Sequence, residues 1–137
     1  MRKQIRAMWT SVGLIMIVIF IASLNTYAQS NVIDNVRVAI KTGSSKELAK
    51  YFGSTVELNF DGEKSSYSES QAEFVLRDFF KNYPPVDFEY IHQGASKQGL
   101  KYVIGKYSIS GGSYRIWVLF KKSNDTFFVD TIDFTRE

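Results

Sequence analysis

The spacing of apolar residues changes period along the chain, and each change predicts an element. "NVIDNVRVAIKTG" sets Ile33, Val36 and Ile40 on one helical face and ends at Gly43, a residue suited to a helix C-cap. A shorter helix should follow, opened by a capping box of Ser44 and Glu47 and carrying Leu48, Tyr51 and Phe52 before Gly53. "STVELNFDGEKSSYS" then alternates Val56, Leu58 and Phe60 with Glu57 and Asn59, a strand that turns at Asp61 and Gly62 into a short hairpin. "SQAEFVLRDFFKNYPP" returns to helical spacing: Ser70 and Glu73 form a capping box, Ala72, Val75, Leu76, Phe79 and Phe80 make the stripe, and Pro84 and Pro85 stop it. From Val86 the pattern is β-rich, with turns at "GASKQG", at Gly111 and Gly112, and at Ser123 to Asp125. Two helices, a strand or hairpin, a helix and a four-strand meander predict an α+β domain, a curved antiparallel sheet wrapped on one face by about three helices.

Turns fix register, and register assigns side chains to faces with period two. With Gly111 and Gly112 as one turn and Asn124 and Asp125 as the next, Ile109 faces Tyr114, Tyr107 faces Ile116, Phe120 faces Val129, Val118 faces Thr131 and Ile116 faces Asp133. Phe88, Tyr90, Val103, Tyr107, Ile109, Ile116, Val118, Phe120 and Val129 then line the helix-covered face. The polar groups among them form a candidate pocket: Tyr90, His92, Tyr107, Tyr114, Thr131 and Asp133. Gly105, in mid-strand, permits a bend that would open a concave cavity beside them. The other face collects Ile91, Tyr102, Ile104, Trp117, Leu119, Phe128, Ile132 and Phe134, too much apolar surface for water. Ile91, Ile104, Trp117, Leu119, Phe128 and Ile132 are therefore the candidate interface of a homodimer or a protein partner.

The N-terminus stands apart from this domain. Arg2, Lys3 and Arg6 precede an uncharged run from Val12 to Leu24, and Thr26 and Ala28 supply small residues before a cleavage point at Gln29. That is the layout of a signal peptide over residues 1–28, and the run is shorter than the ~20 residues a spanning helix needs. Residues 29–137 are left as a single exported domain, periplasmic or extracellular. The 17 Lys and Arg residues of the whole chain exceed its 14 Asp and Glu by the three that precede the apolar run, so the domain itself is balanced. A balanced domain without a basic run gives no footprint for nucleic acid, and no membrane contact is expected after cleavage. There is no cysteine and only one histidine, so thiol chemistry and the common thiolate or multi-histidine metal sites are excluded. No cofactor is expected.

Three stretches, "AIKTGSSKELAKYFGSTVEL", "SQAEFVLRDFFKNYPP" and "FEYIHQGASKQGLKYVIGKYSISGGSYRIWVLFKK", together resemble domain of unknown function 4783, over about Val32 to Asp133. Members of that family look like small exported proteins of Bacteroidetes, and the resemblance implies the nuclear transport factor 2-like (NTF2-like), or cystatin-like, cone. It carries over no activity, and no enzyme motif of that superfamily matches residue by residue. A non-catalytic domain that binds a small apolar or amphipathic ligand in the concave cavity, or a protein partner, is the reading these observations favour. The alternative is a small acid/base lyase or isomerase, in which Asp133 abstracts a proton beside a carbonyl while Tyr107 or Tyr114 donates to the developing oxyanion. His92 could serve as a general base, its ordinary pKa being ~6.5, or simply end a strand.

Overall fold

The computed structural model describes residues 27–96 and 98–137, with side chains from Val32 onward. Its compact unit runs from Val32 to Glu137. The export signal expected over residues 1–28 lies outside the described residues apart from its last two positions. Among the described residues no helix is long and apolar enough to cross a membrane.

Helix α1, Tyr27–Lys41, ends as its glycine predicts: Gly43 is left-handed (φ 66°), and the N–H groups of Gly43 and Ser44 return to the carbonyls of Ile40 and Ala39. Helix α2, Ser45–Ala49, is capped by Ser44, whose side chain accepts from the Glu47 N–H. Phe52, expected in that helix, instead begins strand β1, Phe52–Phe60, because α2 is only one turn long. β1 turns through Asp61 and Gly62 into β2, Glu63–Ser68, as the alternation predicts. Helix α3, Glu69–Asn82, starts two residues before the expected box: Ser68 and Gln71 exchange side-chain to backbone bonds in place of Ser70 and Glu73. Its buried stripe is Ala72, Leu76, Phe79 and Phe80, with Val75 half-buried.

Strands β3, Asp87–Ala95, β4, Lys101–Ile109, β5, Gly112–Ser123, and β6, Thr126–Arg136, form the predicted meander. The six strands lie in the order β2-β1-β6-β5-β4-β3, antiparallel except for the parallel β1–β6 pair that joins the first hairpin to the meander. Apolar residues of α1, α2 and α3 share one core with one face of this curved sheet.

The hairpins follow the turn signals with one displacement. Ser110 and Gly111, not Gly111 and Gly112, make the β4–β5 turn, so Tyr107 faces Tyr114 and Val103 faces Val118. The shift is two residues, one full pleat period, and every side chain of β4 and β5 keeps its expected face. At Asn124 and Asp125 both residues take positive φ, 50° and 62°, as a tight hairpin of matching twist requires.

Two single-residue insertions then change the faces. Tyr90 faces Gly105 but His92 faces Ile104, which leaves Ile91 as an extra residue in β3. Phe120 faces Val129 but Leu119 faces Thr131, which leaves Asp130 extra in β6. Beyond each bulge the strand is turned over relative to an unbroken alternation. Ile132 and Phe134 therefore point into the core, fully buried beside Val118 and Ile116, and Ile132 is no part of an outer interface. His92, Thr131 and Asp133 turn outward, opposite to the face expected from an unbroken strand.

Gly105 has a packing role. A Cβ there would collide with Cε2 and Cζ of Phe88, whose ring covers the glycine from β3. Gly105→Ala is expected to cost about 1–3 kcal/mol in denaturant unfolding, with a much smaller cost in a Phe88→Leu background. In the same measurement Phe134→Ala should cost about 3–5 kcal/mol and Asp133→Ala about 1 kcal/mol, and equal costs would contradict the bulged register.

Candidate functional site

The six candidate pocket residues divide three and three between the faces. Tyr90, Tyr107 and Tyr114 are on the helix-covered side. Tyr90 donates its hydroxyl to the Ile33 carbonyl at 2.6 Å and so ties β3 to α1. Tyr107, fully buried, donates to the Tyr83 carbonyl at 2.6 Å and closes the C-terminal end of α3 onto the sheet. Burial holds both phenols above the ordinary tyrosine range. Each hydroxyl has its proton committed to a backbone carbonyl.

Tyr114 stands nearer the open end of the cone. Burial raises its phenol too, while Arg136, with its guanidinium 5.1 Å from the ring centre, acts in the opposite direction. Beside it a cleft of about 320 Å³ is lined by Phe60, Asp61, Val75, Asp78, Phe79, Asn82, Tyr83 and Tyr114. Deeper than this mouth the cone is occupied by its own aromatic residues. Phe79 of α3 has ring centres of Phe60, Tyr83, Tyr107, Tyr114 and Phe134 within 5.9 Å, and Phe134 is the nearest at 4.6 Å.

His92, Thr131 and Asp133 lie on the other side of the sheet. His92 is exposed, and its Nε2 lies 3.1 Å from the hydroxyl of Tyr102, whose ring covers Gly94. The histidine thus sits on an edge strand, paired with a tyrosine of the adjacent strand. Thr131 donates to Asp130 at 2.9 Å, so the bulge is held by its own side chains, and Asp130 also meets Lys121 at 3.2 Å. Asp133 accepts from Asn59 Nδ2 at 2.9 Å and from Thr135 Oγ1 at 3.0 Å. The Oδ1 atom of Asn59 is buried and has no donor among the described residues.

Pairing across the strands arranges the outer face in rows. His92, Ile104, Trp117, Asp133 and Asn59 form one; Tyr102, Leu119, Thr131 and Glu57 form the next; Lys106, Arg115 and Thr135 flank the first. Ile104, Trp117, Leu119 and Phe128 of the candidate interface are half-buried here, and Ile91, at its bulge, is 64% exposed. A cleft of about 280 Å³ opens among Ile104, Arg115, Trp117, Asp133 and Thr135. Reading from sequence missed these partners of Asp133: Arg115 comes to its side of the sheet only through the bulge in β6, Asn59 is brought beside it by the parallel β1–β6 pairing, and Thr135, two residues on, shares its face. Among the described residues no group of three or more His, Asp or Glu side chains could hold a metal ion.

The comparisons with known proteins agree with this architecture. A crystal structure of a DUF4783 family protein from Bacteroides ovatus is 29% identical, covering 75% of this chain and 93% of that one, with a TM-score of 0.72. The corresponding protein from Bacteroides uniformis is 28% identical, covering 76% and 95%, with a TM-score of 0.71. An NTF2-like protein of unknown function from Shewanella baltica shares the fold at 12% identity, covering 84% and 95%, with a TM-score of 0.62. No curated protein matches the chain significantly. The model of the domain of unknown function DUF4783 matches residues 33–135, nearly the whole sheet and its helices, and the chain belongs to that family.

Proposed function

We propose that this chain is an exported, non-catalytic NTF2-like domain that acts by binding protein through the outer face of its sheet. One contrast carries the reading. The helix-covered interior is filled by the chain's own side chains, with Phe88, Tyr107, Phe120 and Phe134 fully buried. The outer face leaves Tyr102, Ile104, Trp117, Leu119 and Phe128 only half-buried. A small-molecule carrier of this shape needs an empty cone, because pockets that bury a ligand measure roughly 300–1,000 Å³ and enclose most of it. The cleft beside Tyr114 lies at the rim of the cone, outside this aromatic filling. An apolar patch with charged residues around it is the usual anatomy of a protein interface.

The acid/base alternative built on Asp133 needs that carboxylate and a phenol on one side of the sheet. Asp133 is outside, and Tyr107 and Tyr114 are inside with the sheet between them, so these groups do not meet one substrate. Export is supported by the sequence alone, through the basic, apolar and small-residue order of the first 28 positions.

Native mass spectrometry of the protein secreted by an expression host, compared with its denatured mass, tests the filled interior. Polypeptide mass alone is expected. A small molecule lost on denaturation would overturn the reading and make the cleft between Phe60, Phe79, Tyr83 and Tyr114 the functional site.

A further inference from the structure

The two borders of the sheet are β2 and β3. A border strand presents backbone N–H and C=O groups that no neighbour pairs, a template for a further strand. On β3 the inserted Ile91 interrupts that row. β2 has neither bulge nor proline and pairs with β1 without a break from Glu63 to Ser68. Asp61 and Gly62 both take positive φ, the tight turn that leaves Phe60 and Glu63 as a hydrogen-bonded pair. Hydrogen-bonded pairs alternate from there, so the N–H and C=O of Lys64 and Ser66 point away from the sheet. Among the described residues no backbone bond of a loop or cap reaches them. The Lys64 side chain does not guard this border, because its ammonium crosses to Glu57 of β1 at 3.0 Å.

We infer that this border docks an extended, basic segment of a partner protein, which joins the sheet as a strand beside β2 and lays alternate side chains against α3. The surface is separate from the outer face, and the inference does not rest on the reading above. A cleft of about 620 Å³ lies along β2 on its helix side, between Ser65 and Tyr67 of the strand and Gln71, Phe74 and Val75 of α3. Phe74 is 69% exposed there, although the other side of the same helix is buried. Tyr67 faces Val56, a core residue, so side chains of an added strand that stand beside Ser65 and Tyr67 enter this cleft.

Charge selects the occupant. Glu63, Glu69 and Asp78 form no ion pair among the described residues. Glu63 opens β2, Glu69 opens α3 next to Ser70 of the cleft, and Asp78 lines the cleft beside Tyr114, with which this one shares Val75. The neighbouring cations Lys64 and Arg77 are held by Glu57 and Glu73. A segment with lysine or arginine toward the two ends and an apolar residue between them, all on one face, complements both the carboxylates and Phe74. A second copy of β2 does not. Paired antiparallel end to end, it would bring its Glu63 toward the Ser68 and Glu69 end, carboxylate toward carboxylate.

Amide shifts of the secreted, isotope-labelled protein, titrated with the end-blocked peptide TKTITKT, test the docking. The peptide sets lysine, isoleucine and lysine on one face and reads the same in both chain directions. Shifts should gather at Lys64 to Ser68 and at Gln71 to Val75, with a Kd below ~1 mM. The acidic peptide TETITET should bind at least ~10-fold more weakly, and Glu63→Lys combined with Asp78→Lys should weaken TKTITKT about tenfold. Ser66→Pro, which removes an outward N–H from a border strand, should abolish binding. Two methylated peptides cover the case in which that variant does not fold, one N-methylated at its threonines and the other at its lysines and isoleucine. One should lose at least ~10-fold in affinity and the other keep it, since only one set of N–H groups faces β2. Shifts confined to Trp117 and Leu119, no shift at β2, or equal binding of both methylated peptides would each overturn the inference. So would tight binding of the acidic peptide, or Lys64 and Ser66 amides that move with protein concentration alone, the mark of a second copy on the border. The native mass measurement reports on the filled interior independently of all of these.

Discussion

Two inserted residues, Ile91 in β3 and Asp130 in β6, decide which side of the sheet each later side chain occupies. A β-strand has no other means of changing face, because its side chains alternate with period two and a one-residue slip inverts all of them. Each bulge also bends and twists its strand, which suits a sheet that must curve around helices. The bulge at Asp130 has the larger consequence. It sends Ile132 and Phe134 into the core, and it sends Asp133 outward into the row with Ile104 and Trp117. Core and surface are thus set by the same residue.

The core that results is aromatic and centred on one helix position. Phe79 gathers rings from β1, β4, β5 and β6 together with Tyr83 beyond its own C-terminus, so α3 is held to four strands through one side chain. Tilted and edge-on contacts of this kind add to the apolar area each ring buries. The buried hydroxyls of Tyr90 and Tyr107 are spent on carbonyls of Ile33 and Tyr83, which fixes α1 and the end of α3 to the sheet. The cone is closed by its own aromatic rings, and on the reading proposed above recognition falls to the outer face, where the charged and apolar rows lie.

Much of the fold was legible in the sequence. Element order, the hairpin at Asp61 and Gly62, the glycine stop at Gly43, the stripe of α3 and the meander followed from periodicity and turn chemistry. The two-residue error at the Ser110–Gly111 turn did no harm, because a shift of two keeps every residue on its face. The bulges were not legible. Neither Ile91 nor Asp130 breaks the local alternation with a glycine or proline, and in β6 it is the burial of Phe134 against Phe79 and Phe60 that goes with the bulged register. The bulge at Ile91 turned His92, and the bulge at Asp130 turned Thr131 and Asp133, so the candidate pocket divided accordingly. Trp117, Leu119 and Ile104, which lie on strands without a bulge, kept the face that the alternation assigned them.

The register of β6 on β5 is the claim from which the filled core and the charged outer row both follow, and nuclear Overhauser contacts in the folded domain measure it most directly. Cross-strand contacts joining Val118 to Ile132 and Ile116 to Phe134 are the result expected of a strand with Asp130 inserted. Contacts joining Val118 to Thr131 and Ile116 to Asp133 would show an unbroken strand, return the carboxylate to the helix-covered side, and contradict the account.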